Sequence, residues 1–66
     1  MNTNELLKKL RDRLKSHKAL YDIYKAKSYE APTPEQKNNY LSYANTQLAI
    51  LEEIEDIIID IVNSIE

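Results

Sequence analysis

Residues 40–65 read YLSYANTQLAILEEIEDIIIDIVNSI, and within them Tyr40, Ala44, Gln47, Leu51, Ile54, Ile58, Ile61 and Ile65 recur at strict four-three spacing. That period keeps one seam of an α-helix facing a partner along its whole length. Glu52, Glu53, Glu55, Asp56 and Asp60 interrupt the apolar run, too many charges for a membrane span. The stretch therefore reads as an amphipathic helix that needs something to pack against.

Its start signal lies just upstream. Thr33-Pro34-Glu35-Gln36 offers an N-cap threonine, a proline at the first helical position and a glutamine three residues after the cap. From there to Ile65 nothing breaks the helix. Before the break a second seam appears: Leu7, Leu10, Leu14, His17, Tyr21 and Tyr24 repeat at three-four spacing, with Leu6, Leu20 and Ile23 widening the stripe. Asn2 with Glu5 three residues on fits an N-terminal capping box. The first helix must stop near Glu30, because the residue before Pro32 is pushed out of the α region. The expected organisation is one all-α domain over 1–66, with helix 1 at about 4–29, a turn at 30–33 and helix 2 at about 34–65.

So short a turn makes the helices antiparallel and sets their register. Folding about Pro32-Thr33 brings Leu7 to Ile58, Leu10 to Ile54, Leu14 to Leu51, His17 to Gln47, Tyr21 to Ala44 and Tyr24 to Tyr40. Helix 2 has apolar residues beyond that seam, with Tyr43, Ile50 and Ile57 on one flank and Leu41, Leu48 and Val62 on the other. Ile61, Val62 and Ile65 also overhang the start of helix 1. An apolar face this wide suits a four-helix bundle, so the hairpin is expected to dimerise. The seam residues expected to carry core and dimer are Leu7, Leu10, Leu14, Leu51, Ile54, Ile58, Ile61 and Ile65, around a polar layer of His17 and Gln47.

Composition narrows the function classes. A chain of 66 residues has a small core, and domains of this size add disulfides, a metal or a second subunit. There is no cysteine and only one histidine, so oligomerisation is the remaining device, and no cofactor or metal site is expected. The absence of glycine removes phosphate-cradling loops and strained nucleophile turns. The first ten residues lack the apolar core of a signal peptide, and a cytoplasmic protein off the membrane is expected.

Several groups of residues invite a functional reading. His17 stands alone, without a base, acid or phosphate-binding loop, and reads as a register-setting polar layer rather than a phosphoacceptor. Tyr21, Tyr24, Tyr40 and Tyr43 are expected in the core at the turn end, with Tyr29 the most exposed. The acidic cluster at 52–60 lacks the Glu-x-x-His pairs of di-iron bundles and reads as surface carboxylates facing helix 1.

Charge is unevenly divided. Residues 1–30 carry eight Lys/Arg against four acids, and residues 31–66 one lysine against seven acids, within a net charge of −2. The basic run Lys8, Lys9, Arg11, Arg13, Lys15 and Lys18 is set against the acids of helix 2 by the hairpin register. In architecture and length the chain resembles the Rop-type plasmid regulators, helical-hairpin dimers that bind RNA. The resemblance implies an RNA- or DNA-binding alternative on the basic face of helix 1. No contact residue is carried over from it; Arg13 and Lys15 are the residues here least neutralised by the pairing. The leading expectation is not an enzyme but a small homodimeric accessory or regulatory protein of the phage, viral or plasmid kind, acting on an unknown protein or other macromolecule.

Overall fold

The computed structural model describes residues 2–65, so Met1 and Glu66 of the expected 1–66 domain lie outside it. Two helices make up the fold: α1, Thr3–Glu30, and α2, Pro34–Ile65. They pack along one another as a hairpin about 49 Å long and 15 Å wide. Helix α1 begins one residue earlier and ends one residue later than the sequence spacing predicts.

The ends explain the boundaries. Asn2 has extended backbone and its side-chain oxygen accepts from the Glu5 amide at 2.8 Å. The Thr33 hydroxyl accepts from the Gln36 amide at 3.2 Å, and its carbonyl accepts from the Lys37 amide at 3.0 Å. Each cap satisfies an amide that the first helical turn leaves without a partner. Ala31 ends α1 at φ −64°, ψ 131°, the extended conformation that a following proline favours. The reversal thus uses a proline-directed stop and an immediate restart, and no described residue adopts a positive φ.

The core lies between the helices. Leu7, Ala44, Leu51 and Ile54 are its buried apolar residues, and Leu10, Leu14, Ile58 and Ile61 are half-buried beside them. Ile65 is 59% exposed, because α1 begins too far short of it to cover it. Ser28 belongs to the buried set as well, at 1% exposure. It continues the α1 seam four residues after Tyr24, and its hydroxyl donates to the Lys25 carbonyl at 2.6 Å. No helix among the described residues is long and apolar enough to cross a membrane.

Candidate interaction surface

Midway along the seam, His17 Nδ1 lies 2.6 Å from Gln47 Oε1. Both side chains are half-buried, and each would lose a water partner on packing without gaining this one. Hydrogen-bonding geometry admits such a pair only in a narrow range of helix offsets, so the bond acts on register. Among the described residues no three His, Asp or Glu side chains gather closely enough to hold a metal ion.

Toward the turn the seam becomes aromatic. Tyr24 and Tyr43 have ring centroids 5.5 Å apart in a tilted arrangement, and Tyr40 meets Tyr43 edge-on at 6.4 Å. Tyr21, Tyr24 and Tyr40 are half-buried. Tyr43, expected in the core, is instead 53% exposed. It precedes Ala44 by one position, so its direction from the helix axis turns by about 100° from the seam onto an edge. Tyr29 is 74% exposed and lies beyond the seam. Lysines border these rings: Lys25 Nζ is 6.0 Å from the centroids of both Tyr21 and Tyr29, and Lys27 Nζ is 5.9 Å from that of Tyr40. These separations stand at the outer limit of cation–π attraction.

Between the helices at the turn end, Lys27, Glu30, Ala31, Pro32, Gln36, Asn39, Tyr40 and Tyr43 line an open cleft of about 420 Å³. Lys27, Gln36 and Tyr43 among them lie on one flank of the hairpin, which the helical repeat identifies. With seam positions labelled a and d, the residue before each a (position g) points to one flank, and antiparallel pairing sets g beside g of the other helix. Helix α1 places Leu6, Arg13, Leu20 and Lys27 there; α2 places Gln36, Tyr43, Ile50 and Ile57. Ile23 adjoins them. Five of the large apolar side chains left exposed by the fold, Leu6, Leu20, Ile23, Tyr43 and Ile57, therefore share one edge.

The basic residues are not so arranged. Arg13 and Lys15 are both exposed, but two positions on a helix differ in direction by roughly 200°. Arg13 falls on the apolar edge, and Lys15 on the opposite, outer side of α1. They do not form one patch. Lys9 lies near Arg13 at the rim of the apolar edge, whereas Arg11 and Lys18 point to the other flank.

No family model matches this sequence, and no curated protein and no solved structure matches it significantly.

Proposed function

We propose that the protein is a non-enzymatic interaction module of the cytoplasm, a helical hairpin that works as a homodimer and binds a further macromolecule. The observation that carries this reading is the single apolar edge formed by Leu6, Leu20, Ile23, Tyr43 and Ile57. Large apolar side chains scattered over a surface need no explanation, but five gathered on one edge of a chain this small indicate an interface. The limited core argues in the same direction. Four buried apolar residues among those described are few for a domain of 66 residues, and a second hairpin would enlarge that core.

Pairing through the edge leaves Tyr29 and Ile59 exposed on the outer sides of α1 and α2. Tyrosine is among the residue types that most often anchor protein interfaces, which makes Tyr29 the first candidate for contact with the further partner. Sedimentation equilibrium across the micromolar range tests the module directly. The expected result is a dimer whose melting temperature rises with concentration. A monomer that melts cooperatively and independently of concentration would overturn the reading.

A further inference from the structure

We infer that the apolar edge takes a second copy of this chain with both turns at the same end of the dimer, so that α1 of each copy lies against α2 of the other. This rests on the dimeric reading above and goes beyond it in assigning the face, the twofold axis and the helix pairing.

The edge is divided into levels by the register that the His17–Gln47 bond marks. Leu6 shares a level with Ile57, Arg13 with Ile50, Leu20 with Tyr43, and Lys27 with Gln36. The levels thus run apolar, mixed, apolar, polar from the free ends toward the turn. Two twofold axes can bring such an edge against itself. An axis perpendicular to the helices reverses the order. With all four levels engaged it sets Leu6 and Ile57 against the polar level of Lys27 and Gln36; shifted by one level to bring the apolar levels together, it sets Arg13 against Arg13 of the other copy. An axis parallel to the helices sets each level against itself. Both apolar levels then close as four-residue layers, and the polar level stays together beside the turns.

Charge favours the same arrangement. Glu53 lies at the rim of the edge on α2, nearly level with Arg13 and Lys9 on α1. The parallel axis places Arg13 and Lys9 of one copy beside Glu53 of the other. The perpendicular axis with all four levels engaged instead sets Arg13 near Leu20 and Glu53 near Tyr43, where neither charge has a partner, and the shifted one brings two Arg13 side chains together. The overhanging C-terminal turn fits too. Ile65, 59% exposed in the single chain, is brought to the same end as its own copy. A hairpin 49 Å long and 15 Å wide offers a face of roughly 700 Å² in projection, so pairing along its whole length approaches the about 800 Å² per partner of a standard interface.

The chain has no cysteine, so Glu35→Cys provides one spin-labelling site beside the turn and off the proposed face. With turns at the same end, helix spacings of about 8–10 Å hold the two labels within roughly 30 Å. Turns at opposite ends separate them by nearly the 49 Å length of the hairpin. A sedimenting dimer with the short distance is the expected result. A dimer with the long distance overturns the arrangement and leaves dimerisation intact, whereas a monomer removes both.

A charge exchange tests the pairing independently. Arg13→Glu and Glu53→Arg should each weaken dimerisation about tenfold, as for reversing a rim ion pair. An equimolar mixture of the two variants should recover it, because each α1–α2 contact in the mixed dimer regains opposite charges. Single variants that dimerise as the unmodified chain does, or a mixture no better than either variant, would overturn the pairing. Both residues are exposed in the single chain, so each variant is expected to remain helical, which circular dichroism checks.

Discussion

His17 Nδ1 and Gln47 Oε1 stand 2.6 Å apart across the middle of the hairpin, thirty residues apart in the chain. Two helices joined only by a short turn could slide by one helical turn and still bury leucine against isoleucine. The histidine–glutamine bond distinguishes the observed offset from those alternatives. Gln47→Leu should cost about 1–3 kcal/mol in denaturant unfolding, because it leaves the half-buried imidazole without its partner. The double variant His17→Leu/Gln47→Leu should recover much of that stability while broadening the amide NMR spectrum, as competing registers become populated. A double variant with a single sharp set of resonances would show that the layer does not control register.

Ala44 has no exposed surface, and the pairing register sets it across from Tyr21. A larger side chain there must push the helices apart. Ala44→Leu should destabilise the protein by about 1–3 kcal/mol through overpacking, despite adding apolar surface. For a domain of this size, each 1 kcal/mol lowers the melting temperature by about 4–8 °C, which a calorimetric scan at fixed concentration resolves.

At the start of α2, Thr33 holds the Gln36 amide through its hydroxyl. Thr33→Ala should cost about 1 kcal/mol, and Thr33→Ser should restore most of it, since the hydroxyl rather than the methyl group caps the helix. Urea midpoints for the three proteins check the order.

Ser28 is nearly as buried as Ala44, but its hydroxyl bonds to a carbonyl of its own helix. That bond contributes little beyond satisfying the hydroxyl itself. Ser28→Ala should therefore change stability by about 1 kcal/mol or less, whereas Ser28→Leu should cost about 1–3 kcal/mol by overpacking near the turn. Equal losses from both would indicate that the hydroxyl, not the available space, is the constraint.

Ile54 is buried in the seam between the helices. Ile54→Asp places a carboxylate in the apolar seam, at a cost of more than about 3 kcal/mol. Helical circular dichroism and the sedimenting dimer should be lost together. A folded monomer would separate the seam from assembly.

Much of the hairpin is legible from spacing and punctuation. The four-three repeat around Leu51 and Ile54, the cap at Thr33 and the proline stop after Ala31 are local rules, so short stretches of sequence are enough to read them. Ser28 was readable in principle, since it follows Tyr24 by four residues. A small polar residue among Lys25, Lys27 and Glu30 carries no apolar signal, however, so an apolar repeat is read as ending before it. Tyr43 is the opposite case. Its apolar ring suggests burial, and the repeat sets it on a flank beside Ala44, but only the placement of α1 decides how much of that flank is covered.

The sequence by itself determined two amphipathic helices, their caps, the place where the chain reverses and the approximate pairing of seam positions. Those features depend on local backbone preferences and on a period that does not change when the helix is moved. Tertiary structure decided the rest: the hydrogen bond that closes the expected His17–Gln47 layer, the burial of Ser28, and the gathering of Leu6, Leu20, Ile23, Tyr43 and Ile57 on one edge. These residues come from both helices and are separated by up to fifty-one positions, so no window of sequence contains their relationship. It exists only once antiparallel packing has set the two g flanks side by side.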